Sequence, residues 1–115
     1  MNYQERIKHC IELTKRLDPA TVDLRTWAHP CGTVRCVIGH LCATPEAQHN
    51  GLELVVDEND SVYPVFNGYA ARPKGWRAIG TYFGINSYEA MYIFSPIEGN
   101  RTADSVRARL EEFVK

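Results

Sequence analysis

The sequence predicts an α+β domain that is predominantly α, with about five short helices and one two-stranded β-hairpin around a single compact core. Two observations carry the prediction. Five segments place apolar residues at helical spacing behind a capping residue, and one pair of short segments alternates apolar with other residues around a polar turn. The 115 residues, 44% of them hydrophobic, are enough for one core, so residues 1–115 are treated as a single domain.

Charge and hydropathy argue against several classes of protein. With 13 basic and 14 acidic side chains the net charge is −1, which gives no general attraction to nucleic acid or to an anionic membrane. The first residues lack the apolar run of a signal peptide, and no segment is apolar enough to cross a bilayer. We therefore expect a cytoplasmic protein without membrane association, whose four cysteines are reduced.

The first helix is predicted to begin after Asn2, which forms a capping box with Glu5, and to end before Pro19. Residues 20–30 then lose the helical period. Trp27 lies within this connector, and we expect its ring to be fixed in the core.

Two short helices are expected next. Thr33 is the predicted N-cap of a buried, apolar helix that ends near Ala43. Thr44 repeats the capping signal ahead of a short helical turn, which Gly51 closes.

A hairpin is predicted where the period changes from helical to alternating. Residues 52–56 and 62–66 form the two strands, and the polar residues 57–61 form the turn between them. Pro64 makes the second strand an edge strand. The turn imitates the start of a calcium loop but lacks the glycine and the last glutamate of such a loop, so we interpret it as a hairpin tip.

Three helices are predicted in the C-terminal part. One has an apolar face that begins at Trp76 and ends at Gly84, and a second starts behind Asn86. Thr102 caps the last, and Val114 is expected among its inward-facing residues.

One run of residues is distinctive: Trp27 precedes Cys31-Gly32-Thr33-Val34-Arg35-Cys36-Val37-Ile38-Gly39-His40, and Phe83-Gly84 follows later. The pattern resembles a family of small uncharacterised bacteriophage and bacterial proteins with a Cys-Gly-Thr-x-x-Cys-x-x-Gly signature and a Phe-Gly helix pair. The resemblance covers residues 22–114. It implies a structural motif formed by Trp27, Cys31, Gly32, Thr33, Cys36 and Gly39. It also implies a bacterial or phage-infected cell and an accessory protein that binds a host component.

Cys31, Cys36 and His40 form a candidate zinc site. On one helix, Cys36 and His40 would be four positions apart on the same face, with Cys31 approaching from the preceding loop. The spacing between the cysteines departs from the usual two-residue knuckle, and relatives in the similar family often carry Trp in place of His40. We therefore expect these residues to pack, and zinc remains an alternative.

A cysteine-dependent enzyme is another alternative. Cys31 is expected just ahead of a helix N-terminus, where the peptide dipoles favour a thiolate. The sequence offers His9, His29, His40 and His49 as bases, but no pattern directs one of them at Cys31.

The helices around Gly84 resemble a helix-turn-helix in the spacing of their small and apolar residues. Residues 87–94, which would be the reading helix, carry no Arg or Lys to contact bases. Sequence-specific DNA binding is therefore not expected.

The strongest candidate binding surface is the segment that carries Tyr69, Arg72, Lys74, Trp76 and Arg77. Cations beside aromatic rings at a helix start suit phosphate or a nucleotide, which gives a ligand-binding module as a further alternative. Exposed aromatic and Arg side chains also supply most of the energy in protein interfaces. We expect a small non-catalytic protein, without a cofactor, that binds a protein partner through this segment and the neighbouring hairpin.

Overall fold

The structure, a computed structural model, describes residues 1–27 and 35–115. These residues form six α-helices, a short 3₁₀ turn and one two-stranded antiparallel sheet, which confirms the predicted α+β class with helices predominating. The elements in chain order are α1 (Tyr3–Arg16), the 3₁₀ turn (Pro19–Thr21), α2 (Val37–Cys42), α3 (Pro45–His49), β1 (Leu52–Val56), β2 (Val62–Phe66), α4 (Trp76–Phe83), α5 (Ser87–Phe94) and α6 (Ala103–Glu111).

Local capping sets the starts of α1, α5 and α6 where the sequence predicts them. The Asn2 side chain accepts a hydrogen bond from the Glu5 backbone N–H at 2.8 Å, and Glu5 returns the bond to the Asn2 backbone at 2.9 Å. Asn86 and Glu89 make the same reciprocal pair at the start of α5. Thr102 caps α6. Each box satisfies backbone donors that a helix N-terminus leaves without partners.

Helix α2 starts later than predicted, and its N-cap is Cys36. The predicted cap, Thr33, lies outside the described residues. Arg35 is already paired as extended chain: its N–H donates to Thr21 and its carbonyl accepts from Asp23, each at 3.0 Å. Because this backbone is engaged with the connector, the helix cannot begin before the next residue.

The hairpin has the predicted strands, paired in register from Leu52 with Phe66 to Val56 with Val62. At its tip the Asp57 carboxylate accepts the backbone N–H groups of Asn59 at 2.8 Å and Ser61 at 3.0 Å. These bonds are those of an Asx-type turn, so the Asp57 carboxylate organises the tip of the predicted hairpin.

The outer edge of β2 is covered by the segment that precedes α4. The Phe66 N–H donates to the Pro73 carbonyl at 3.0 Å, and the Gly75 N–H donates to the Pro64 carbonyl at 2.9 Å. Pro64, which has no N–H, is therefore tolerated in this strand, and the segment that carries the predicted binding residues is fixed against the sheet.

Aromatic rings connect the hairpin to the C-terminal helices through one buried apolar cluster. Phe66 lies edge-on to Tyr82 at 5.8 Å, Tyr82 lies edge-on to Phe83 at 4.9 Å, and Phe83 stacks on Phe94 at 5.6 Å. Helix α1 packs against α4 and α6. The result is a core between α1, the sheet and the α4–α5 pair.

The structure tests two further predictions, the burial of Trp27 and the inward orientation of Val114. Trp27 is half-buried against the core, as expected. Val114 is 37% exposed, so its predicted inward orientation is wrong. Helix α6 ends at Glu111, and beyond that residue the helical period no longer sets the direction of a side chain.

None of the described helices has the length and apolar character needed to cross a bilayer.

Candidate functional site

A cleft of about 300 Å³ lies where the start of α1 meets the end of β2, the turn that follows it and α4. We call it the aromatic cleft. Its lining residues are Met1, Asn2, Tyr3, Arg6, Phe66, Gly68, Tyr69 and Thr81. The cleft thus joins one of the predicted binding residues, Tyr69, to a helix more than 50 positions away in the sequence.

Arg6 lies in the wall of this cleft and is held by α4. Its Nη1 donates to the Tyr82 carbonyl at 2.8 Å. That carbonyl is in the last turn of α4, where backbone acceptors lack helical partners. The Arg6 Nε is buried and has no hydrogen-bond partner among the described residues.

Aromatic rings surround the Arg6 guanidinium. Its Cζ lies 4.6 Å from the ring centroid of Tyr82 and 5.7 Å from those of Tyr3 and Phe66. Within the described parts of the chain, Arg6 forms no salt bridge with a carboxylate. The positive charge is therefore stabilised by ring quadrupoles and one carbonyl, with no full negative charge beside it.

Two tyrosines form the outer part of the cleft. Tyr3 is 49% exposed and Tyr69 is 58% exposed, while Phe66 beneath them is buried. The Tyr69 ring lies 6.4 Å from that of Phe66. Large apolar surfaces that remain in water next to a cation are typical of binding sites.

Glycines make room for these rings. A Cβ at Gly68 would collide with the Phe66 ring. A Cβ at Gly84 would come within 2.7 Å of the Tyr3 ring, and the positive φ of 73° at this C-cap also favours glycine. Thus the predicted helix stop at Gly84 has a second effect, because it lets Tyr3 pack flat at the cleft.

Arg72 lies just beyond the cleft, in a polar network on the hairpin. Its Nε donates to the Asn67 Oδ1 at 2.8 Å, and Asn67 donates in turn to Glu53 at 3.0 Å. The Arg72 backbone has a positive φ of 45°. The network holds the turn that carries Tyr69, so Arg72 supports the cleft from outside.

The other predicted binding residues do not line the cleft. Lys74 lies with its Nζ 5.8 Å from the Tyr63 ring centroid. Trp76 packs against Trp27 at 4.7 Å and lines a separate groove of about 400 Å³. Arg77 is exposed on the first turn of α4. The predicted five-residue site is therefore divided over different surfaces, since Tyr69 lines the aromatic cleft whereas Trp76 lines the groove beside Trp27.

The structure describes three of the four thiols, and all are free and buried: Cys10, Cys36 and Cys42. Burial raises the pKa of Cys36 to about 11, and it raises the pKa of Cys10 and Cys42 further. None of these three is activated as a nucleophile, since the thiolate is the reactive form. Cys31, the predicted nucleophile of the enzyme alternative, lies outside the described residues, as does His29.

The described members of the candidate zinc site are engaged in structural contacts. The Cys36 sulfur accepts the Gly39 N–H at 3.3 Å, and the His40 Nε2 lies 2.8 Å from the Thr21 carbonyl oxygen. Across residues 1–27 and 35–115, no group of three His, Cys, Asp or Glu side chains is arranged to hold a metal ion. The third member, Cys31, falls in the segment that is not described.

Gly39 allows α2 to lie close to the connector. A Cβ at this position would collide with the Trp27 carbonyl oxygen, so only glycine lets α2 pass so close to the connector. The remaining signature residues Gly32 and Thr33 lie outside the described part of the chain.

Sequence reasoning missed Tyr3, Arg6, Phe66 and Thr81 as site residues. Phe66 belongs to a predicted strand, and Tyr3 and Arg6 are ordinary positions in the first turn or two of a predicted helix. The one local signal was the Tyr3 and Arg6 pair at helical spacing, which places a ring and a guanidinium on the same face.

The fold and the cleft together define a small α+β protein with a cation enclosed by aromatic rings at its surface. Neither a scan against models of protein families nor searches of curated proteins and of solved structures found a match to this chain.

Proposed function

We propose that this protein is a non-catalytic binding protein that holds a segment of a partner protein in the aromatic cleft. The observation that carries the proposal is the enclosure of Arg6 by three aromatic rings, with Tyr3 and Tyr69 left half in water at the mouth. Tyr and Arg are among the side chains that contribute most to protein interfaces, and a tyrosine buries a large area at a small cost in conformational entropy.

The dimensions of the cleft support a protein segment as its occupant. About 300 Å³ accommodates one or two side chains, at the lower end of small-molecule pockets. The exposed rings of Tyr3 and Tyr69 extend this surface beyond the cleft, so a longer chain would gain contacts that a compact ligand cannot reach.

The biological form we propose is a phage- or prophage-type accessory factor that binds a host protein. Its support is the likeness of the signature around Cys36 and Gly39 to small phage and bacterial proteins. An accessory factor of this kind acts by occupying a surface of its target, and a rigid, preformed contact region lowers the entropic cost of that binding. The hydrogen bonds that fix the segment 73–75 to β2 supply such rigidity next to the cleft.

The test is site-specific photo-crosslinking in a bacterial host. A photoreactive phenylalanine analogue replaces Tyr69 in one variant and Tyr88 in a matched control. Tyr88 is 84% exposed on α5 and is not a lining residue of the cleft. We expect one discrete crosslinked species from position 69 and none from position 88.

Alanine substitutions then test how much the Tyr69 side chain contributes to partner binding. Tyr69→Ala is expected to lower recovery of the same crosslinked partner, probed from position 3, by about tenfold or more, as for a central interface tyrosine. Tyr88→Ala is expected to leave recovery unchanged. Equal recovery with both variants, each verified as folded by circular dichroism, would exclude the cleft as the partner site.

A further inference from the structure

We propose that the partner segment bound in the aromatic cleft is acidic, with one carboxylate that pairs with the guanidinium of Arg6. This inference rests on the function proposed above and adds the chemistry of the partner. The opposing side chain would neutralise the guanidinium, which is the one charged side chain among the described residues that line the cleft. An apolar or aromatic neighbour in the same segment would pack against Tyr3 and Tyr69.

Most of the hydrogen-bond donors of Arg6 are unused in the described contacts. A guanidinium has five N–H donors, and the described contacts of Arg6 include one hydrogen bond, from Nη1 to the Tyr82 carbonyl. Ring faces stabilise the charge but accept no ordinary hydrogen bond of comparable strength. A carboxylate is planar and can accept two N–H groups side by side, which makes it the acceptor best suited to a guanidinium.

The lining of the cleft contains a cation and no carboxylate among the described residues. None of the described residues that line it is acidic, so the cleft itself supplies no competitor for Arg6. Glu5, one position before Arg6, uses its carboxylate to accept the Asn2 N–H at 2.9 Å. Glu53 receives the Asn67 amide on the hairpin. The nearby carboxylates are thus committed to structural bonds, and an incoming one would find the guanidinium without an anion.

The guanidinium of Arg6 lies in surroundings that are less polar than water. Arg6 is partly buried among Tyr3, Phe66 and Tyr82, and a charge pair in such surroundings is screened less by water and salt than an exposed pair. A partner carboxylate would therefore gain more at this position than at the exposed cations Arg77 and Lys74. We therefore expect Arg6 to be the residue that distinguishes acidic from neutral partner segments.

The experiment uses the full chain labelled with nitrogen-15 and two blocked hexapeptides as probes. One peptide has the sequence Gly-Asp-Glu-Phe-Glu-Gly and the other is its neutral isostere Gly-Asn-Gln-Phe-Gln-Gly, both acetylated and amidated. We expect the acidic peptide to shift the Arg6 Nε–Hε resonance and the Tyr69 amide, and to bind at least about tenfold more tightly than the neutral peptide. Equal affinities, or shifts at Arg77 with none at Arg6, would overturn the proposal.

Variants assign the preference to a single side chain. Arg6→Gln is expected to abolish the difference between the two peptides, and Arg6→Lys to retain part of it, because lysine keeps the charge but not the planar pair of donors. Arg77→Gln, an exposed arginine on α4, is the matched control and should retain the full difference. If Arg6→Gln does not fold, the wild-type titration decides the question alone.

Other outcomes separate this inference from the proposed function. Inorganic phosphate that displaces the acidic peptide with a higher affinity than acetate would identify a phosphate site and overturn the carboxylate assignment. If Tyr69→Ala abolishes partner crosslinking but the two peptides bind equally, the cleft is the partner site and only the acidic assignment fails. If Tyr69→Ala leaves crosslinking unchanged, the proposed function itself fails.

Discussion

Arg6 contacts Tyr82 through two groups of that residue: its Nη1 donates to the Tyr82 carbonyl at 2.8 Å, and its Cζ lies 4.6 Å from the Tyr82 ring centroid. One side chain of α1 thereby satisfies an end carbonyl of α4 and covers the face of its largest buried ring. The pair fixes the two helices on which the cleft is built, so it carries stability as well as the charge available for binding.

We expect Arg6→Met to lower the free energy of unfolding by about 2 kcal/mol. The substitution keeps an apolar stem but removes the charge-assisted hydrogen bond and the cation–ring contact. Guanidinium chloride denaturation measures the change. Arg77→Met, at an exposed position of α4, the helix that carries Tyr82, is expected to stay within about 0.5 kcal/mol of the wild type. Similar losses for both variants would show that the contact with Tyr82 contributes nothing particular.

The protein is expected to lose stability as the pH rises above about 9. In the unfolded chain thiols titrate near pH 8.5, whereas burial raises the folded pKa of Cys36 to about 11 and also raises those of Cys10 and Cys42. The unfolded state therefore releases protons first, and the loss is about 1.4 kcal/mol per pH unit for each such thiol. Urea midpoints between pH 7.5 and 10.5, in a reducing buffer, measure this slope.

Two variants assign the alkaline loss to particular groups. Cys36→Ser removes one titrating thiol and keeps an oxygen to cap α2, so the slope between pH 9 and 10.5 should become shallower. Tyr82→Phe should make the slope shallower only above about pH 10, where the tyrosine of the unfolded chain begins to titrate. In the folded protein burial raises the pKa of Tyr82 to about 12. A slope that neither variant changes would contradict the assignment to these buried groups.

Gly84→Ala is expected to destabilise the protein by about 1–3 kcal/mol, more than Gly99→Ala. Both glycines have a positive φ, 73° and 81°, but only at Gly84 would the new Cβ meet a side chain, the ring of Tyr3. Gly99 is therefore the matched control that carries the backbone strain alone. Thermal unfolding measures both variants.

A double-mutant cycle isolates the energetic cost of the contact between the new Cβ at position 84 and the Tyr3 ring. In a Tyr3→Ala background the additional cost of Gly84→Ala should fall to that of Gly99→Ala, since the clashing ring is gone and the backbone strain remains. Equal costs of Gly84→Ala in both backgrounds would mean that the Tyr3 ring moves aside freely and does not form a fixed wall of the cleft.

The sequence by itself determined the helices and the hairpin wherever contacts within four residues decide the structure. The capping boxes at Asn2 and Asn86, the left-handed stop at Gly84 and the Asx turn at Asp57 all depend on such local bonds. They were predictable because residue type and spacing alone specify which backbone groups are satisfied.

Only the tertiary structure decided where α2 begins and which side chains meet at the cleft. The start at Cys36 follows from backbone pairing of Arg35 with the connector, and residues that far apart carry no shared period. Likewise, Arg6 meets Tyr82 across 76 positions, and Trp76 packs against Trp27, away from the cleft that Tyr69 lines. Such contacts depend on how whole elements pack to bury their apolar faces, a property of the complete fold that no single segment encodes.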